Sequence, residues 1–185
     1  MKAVSIEAGE ASKAKKVHGV NRGISVFDLV LRVVALAATL GSAVAMGTAD
    51  QALPFSTQIV NFEAQYDDID AFKFFVVSNA IACVYLALSI PISIFHIMRR
   101  RAGKSRVLLI VLDAIMLVFL TSGASAAAAI VYLAHNGNTS ANWFSICQQY
   151  TDFCQRSAGS LIGSFGAMAL MVLLIIFSAI ALSRR

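Results

Sequence analysis

Residues 107–134 read VLLIVLDAIMLVFLTSGASAAAAIVYLA, from Val107 to Ala134, with Asp113 as the one charged side chain. A bilayer's hydrocarbon core is about 30 Å thick, so a spanning helix needs roughly 20 mainly apolar residues. Backbone N–H and C=O groups in lipid must be satisfied within the segment, which makes this run a transmembrane helix. Three further stretches have the same character: Val26 to Met46, Phe74 to Ile97 and Ser160 to Leu182. The two-residue alternation of a membrane β-barrel is missing.

Composition agrees with lipid as the solvent. Hydrophobic residues make up 58% of the 185 and charged ones only 14%, too few to cover a water-soluble surface. The expected fold is an all-α integral membrane bundle of four helices, near 26–46, 74–97, 107–134 and 160–182. Outer loops fall near 47–73 and 135–159, a basic loop near 98–106, a polar mobile tail over 1–25, and a short end over 183–185.

The distribution of the +5 net charge orients the chain and argues against nucleic acid as its partner. Lys2, Lys13, Lys15, Lys16 and Arg22 precede the first span. Arg99, Arg100, Arg101, Lys104 and Arg106 fill the loop between spans two and three, and Arg184 and Arg185 follow span four. Basic residues beside a span stay cytoplasmic, so both termini are expected inside. The same clusters suit anionic headgroups, each contact worth about 1 kcal/mol, which makes the lipid bilayer itself a partner. The Ala43-Val44-Ala45 run resembles a signal-peptidase site. It lies beyond the usual window and Arg32 interrupts its apolar stretch, so an uncleaved anchor is expected.

Two intramembrane charges stand out. Arg32 and Asp113 each sit about six residues in from the cytoplasmic side, so both lie roughly 9 Å deep on helices running the same way. Burying either alone costs up to about 3 kcal/mol, and equal depth with opposite sign favours an interhelical pair. Asp28 precedes Arg32 by one helical turn, in the favourable order, and could share the guanidinium or satisfy it alone. Snorkelling of Arg32 to the interface is a further solution. Asp113 has no comparable escape, with Leu109, Ile110, Met116 and Leu117 as its helical neighbours.

Of the three cysteines, Cys83 lies within span two and reads as a small apolar residue. Cys147 and Cys154 share an outer loop, where oxidation is permitted, so a disulfide is expected between them. Asn138-Thr139-Ser140 is a glycosylation sequon close to the end of span three. No cysteine and histidine spacing matches a zinc site, and no phosphate loop, nucleophile elbow or His-Glu-x-x-His pattern occurs. The Asp67-Asp68-x-Asp70 group lacks the glycine and terminal glutamate of a calcium loop and reads as a solvated rim. Neither catalysis nor a cofactor is expected. Small residues four apart line three faces: Ala37, Gly41 and Ala45; Gly123 and Ala127; Gly159, Gly163 and Ala167. Such faces admit close helix packing within or between subunits.

The outer loops carry a family resemblance. Leu53, Pro54, Phe55, Thr57 and Gln58, followed by Phe62, Glu63, Ala64, Tyr66, Asp67 and Asp68, resemble the first-loop signature of plant Casparian strip membrane domain proteins. The full signature is similar to the strict subgroup rather than the broader set of related four-span proteins. Asn142-Trp143-Phe144-Ser145-Ile146-Cys147 through Phe153-Cys154 resembles that family's second loop, and Arg32 with Asp113 matches its intramembrane pair. Ser56, Ile59 and Val60 depart from the phenylalanines the pattern favours. The resemblance implies a scaffold that oligomerises with itself and with relatives into an immobile plasma-membrane belt of root endodermis. It further implies a membrane–cell wall junction, recruitment of secreted or membrane-bound oxidative enzymes, and local lignin deposition. A claudin-like adhesion protein is the alternative, and a small transporter or channel a more distant one.

Overall fold

A computed structural model of the chain describes residues 2–52, 63–65, 67, 69–98 and 103–183. Among these residues four helices are long and apolar enough to cross a membrane. They are α1 (Lys2–Gly47), α2 (Asp70–Met98), α3 (Gly103–Asn136) and α4 (Thr151–Ser183). Two short strands, β1 (Asp50–Ala52) and β2 (Glu63–Gln65), pair antiparallel between α1 and α2, with Gln51 opposite Ala64. The ribbon makes neighbours of the two ends of the first loop.

Each helix is longer than its apolar run. α4 begins at Thr151, nearer the chain start than the hydrophobic reading placed it, because its first turns are amphipathic rather than apolar. Phe153, Cys154, Ser157 and Ser160 are buried there while Asp152, Gln155 and Arg156 face out, and Asp152 suits the positive end of a helix. α2 likewise starts at Asp70, and its helix continues through Pro91. At the other extreme α1 is helical from Lys2, where the sequence predicts a polar tail. Alanine, lysine and glutamate, all strong helix formers, recur through that stretch. At about 1.5 Å per residue α1 is far longer than a bilayer is thick, so the helix extends well past its apolar segment, Val26–Gly47.

α1 packs against α2 and α4, and α3 packs against the same two, so α1 faces α3 and α2 faces α4 across the bundle's diagonals. The core is built from Met46, Phe72, Phe75, Leu120, Phe153, Met168 and Met171 toward the loop end. Leu31, Ala35, Leu86 and Leu174 continue it toward the end where α3 starts. Phe72 and Phe153 span the α2–α4 diagonal with ring centroids 6.0 Å apart. Large apolar side chains such as Val84, Leu88, Val118 and Ile162 point outward, as lipid solvation allows.

Two glycines set how close the helices come. A Cβ on Gly123 would collide with the Ser78 side chain on α2, and one on Gly163 would lie 2.5 Å from Ser42 Oγ on α1. The small-residue faces are therefore apportioned by the structure: Gly123, Ala127 and Ala167 are buried inside the bundle, whereas Gly41 and Gly159 are exposed with open space around them.

Candidate functional site

Asp28, Leu31, Arg32, Ala35, Thr39 and Ser42 fall on one stripe of α1 at helical spacing, and that stripe faces the core. Asp113 holds the matching place on α3, with Leu109 one turn before it and Leu120 two turns after. Arg32 and Asp113 are both 0% exposed, so neither snorkels. The guanidinium donates from Nη1 to Asp113 Oδ1 at 3.0 Å and from Nη2 to Oδ2 at 2.7 Å. This two-pronged geometry is the strong form of an arginine–carboxylate contact. Because α1 and α3 are not packed side by side, the pair crosses the middle of the bundle.

Around it every helix contributes. From α1, Asp28 Oδ2 accepts from Arg32 Nε at 3.3 Å. From α2, Tyr85 donates its hydroxyl to Asp113 Oδ1 at 2.6 Å. Ser89 accepts from Arg32 Nη1 at 3.0 Å, and Ser93 donates to Asp28 Oδ2 at 3.4 Å. Ser178 of α4 donates to Asp28 Oδ1 at 3.2 Å. Two carboxylates and one guanidinium, desolvated together, are thus stabilised by hydroxyls from the other two helices, which is what burying charge in lipid requires.

The sequence reading identified Arg32, Asp113 and Asp28, and the structure brings the three together. It missed Tyr85, Ser89, Ser93 and Ser178. Tyr85, Ser89 and Ser93 recur every four residues along an apolar helix, a polar stripe that could have been noticed. Ser178 carries no such signal.

Most of the other buried hydroxyls bond only their own helix, whereas Ser164 Oγ has no hydrogen-bond partner among the described residues. Thr39 donates to Ala35 O, Ser42 to Ala38 O, Ser78 to Phe75 O and Ser157 to Phe153 O, each back onto its own helix. Among the described residues these bonds form isolated closures rather than a file of donors and acceptors. The arrangement locks four helices in register.

At the opposite end the second loop folds back on α3. Ile146 N and Cys147 N both donate to Ala134 O, at 3.0 and 3.3 Å. Gly137 takes a φ of +68°, and a side chain there would press on Trp143 O at 3.0 Å. Left-handed geometry and tight space together select glycine. Asn138 and Trp143 exchange backbone hydrogen bonds of 2.8 and 2.9 Å.

The structure joins Cys147 to Cys154, with Cα atoms 5.6 Å apart. Closing so short a loop should stabilise by about 2–3 kcal/mol in the chain-entropy account. Replacing both cysteines by serine is therefore expected to lower the thermal midpoint in detergent. The contacts of Ala134 O would still hold the loop in place. An unchanged midpoint would show that the disulfide adds nothing to stability.

The remaining sites are placed as follows. Asn138 is exposed, and its Oδ1 accepts from Ser140 N at 3.1 Å within the sequon. Glu63 and Ala64 lie on β2, and Asp67 is exposed. Leu53, Pro54, Phe55, Thr57, Gln58, Phe62, Tyr66 and Asp68 lie outside the described residues. Arg156 of α4 donates to Thr48 O at 3.0 Å, which ties the start of α4 to the chain leaving α1.

Comparison with known proteins adds three findings. The family described as Casparian strip membrane protein domain matches residues 21–170. Casparian strip membrane proteins 2 and 1 of Solanum demissum are each 92% identical over 185 residues, covering 100% of both chains. Casparian strip membrane protein 1 of Lactuca saligna is 60% identical over 183 residues, 99% of this chain and 95% of its own. No solved structure matches the chain.

Proposed function

This chain belongs to the Casparian strip membrane protein family, and on that premise we propose that it is a non-enzymatic scaffold of the Casparian strip. Its copies, with those of relatives, assemble into an immobile domain of the endodermal plasma membrane. There they join membrane to wall and direct lignin deposition through oxidative enzymes, secreted or membrane-bound, gathered on the outer side. Both termini and the basic loop then face the cytoplasm.

One observation carries the reading: among the described residues the buried charges are closed into a lock that all four helices complete. Arg32 and Asp113 neutralise one another at 0% exposure, and all four helices contribute bonds around them. A rigid bundle with a ribbon in one outer loop and a disulfide in the other suits lateral assembly and outward contact. The outward small residues around Gly41 of α1 offer close approach for a neighbouring subunit.

Fluorescence recovery after photobleaching of a tagged copy in root endodermis tests the proposal. The expected result is a narrow median band without recovery. An even distribution that recovers rapidly would remove the scaffold assignment and leave a four-span membrane protein of this fold.

A further inference from the structure

The second outer loop brings a histidine to its two cysteines. His135 lies in the last turn of α3, Cys147 in the loop and Cys154 in the first turn of α4. One ring nitrogen of His135 and the two sulfurs all lie within 4.8 Å of one another. Nothing in the linear spacing announces this group, because three separate elements supply it.

This geometry is that of the disulfide-closed loop, and backbone hydrogen bonds hold the same positions. Ile146 N and Cys147 N are anchored on Ala134 O, the residue before His135. Cys154 is fixed by its place in α4, where its N–H donates to Tyr150 O at 3.1 Å, and it is only 3% exposed. These backbone bonds do not involve the sulfurs and would continue to hold the loop once the sulfur–sulfur bond is opened. Tetrahedral zinc needs ligand atoms about 3.3–3.8 Å apart, given bond lengths of about 2.3 Å to sulfur and 2.0 Å to nitrogen. Side-chain rotation supplies that change without moving a helix. His135 is exposed, so solvent reaches that side of the group.

We propose that the reduced second loop is a binding site for a zinc-class divalent cation, held by His135, Cys147 and Cys154. A dithiol reductant gives two electrons and two protons to the Cys147–Cys154 bond and is itself oxidised to a disulfide. The cation then displaces one proton from each thiol and takes the neutral imidazole nitrogen as third ligand. Two thiolates balance the charge of the ion, and two sulfurs with one nitrogen suit a borderline-soft metal. The loop thus has two mutually exclusive closures, one covalent and one metallic.

The test uses the full chain in detergent micelles with Cys83→Ser, so that Cys147 and Cys154 are its sole thiols. After phosphine reduction and removal of the reductant, cobalt(II) is titrated anaerobically and then displaced with zinc(II). One equivalent per chain is expected, with thiolate charge-transfer absorption and the visible bands of a tetrahedral ion. Both thiols should become protected from alkylation, and the oxidised protein should bind none. His135→Ala should weaken binding at least about tenfold, the loss typical even of more distant metal-site partners. His135→Asn serves as a second variant, with helical content by circular dichroism checking that both remain folded. Failure to bind one equivalent, or equal affinity in the folded His135 variants, overturns the proposal.

Discussion

Asp113→Ala is expected to lose about 3 kcal/mol or more of stability, the range measured when one partner of a buried ion pair is removed. Arg32 would remain 0% exposed with its two-pronged partner gone, and the Tyr85 hydroxyl would keep only Leu109 O, at 3.4 Å, as an acceptor. Asp28 cannot substitute, since it meets the guanidinium only at Nε, at 3.3 Å. The measurement is the thermal midpoint in detergent, with surface delivery of a tagged copy as the cellular readout. Replacing all three charges, Asp28→Asn, Arg32→Met and Asp113→Leu, should recover most of the loss, because the desolvation cost disappears with the charges. A wild-type midpoint and normal delivery for Asp113→Ala would mean that the pair does not hold the bundle.

Gly123→Ala is expected to destabilise by about 1–3 kcal/mol through overpacking at the α2–α3 seam. The added Cβ collides with the Ser78 side chain, whose Cβ would lie 3.0 Å away, while the Phe75 Cα at 3.4 Å is in ordinary contact. Adding Ser78→Gly removes the collision, so most of the overpacking loss should be recovered, less the cost of a glycine within α2. The two changes should therefore be non-additive, as residues in contact generally are. Additive losses would place the cause elsewhere. Gly159→Ala is the control: its Cβ meets nothing within 4 Å, and its midpoint should hold.

Much of the molecule was legible from residue order because lipid imposes a blunt rule: a span must be apolar and about 20 residues long. Val107–Ala134 and its three counterparts followed directly. The Arg32–Asp113 pair was legible for a related reason, since in hydrocarbon an isolated charge has few solutions and depth can be counted along the helix. Cys147 and Cys154 were legible from compartment and proximity. Helix ends were less so. α4 begins within the polar stretch before its apolar run because its early turns bury one face on Phe72 while Asp152 and Arg156 stay in water, and hydropathy alone registers only the average.

By itself, then, the sequence determined the number of spans, their alternating direction and the pairing of opposite charges, and it gave reason to expect the disulfide. All of these depend on local composition or on distance along one helix. Only the tertiary structure decided that the ion pair crosses a diagonal, and that Tyr85, Ser89, Ser93 and Ser178 complete its shell. It also decided which glycines are spent on packing, and that His135 joins the two cysteines. These facts depend on how helices rotate about their axes and which neighbours they choose. Nearly uniform apolar side chains leave that rotation open until packing and the few buried polar groups select one arrangement.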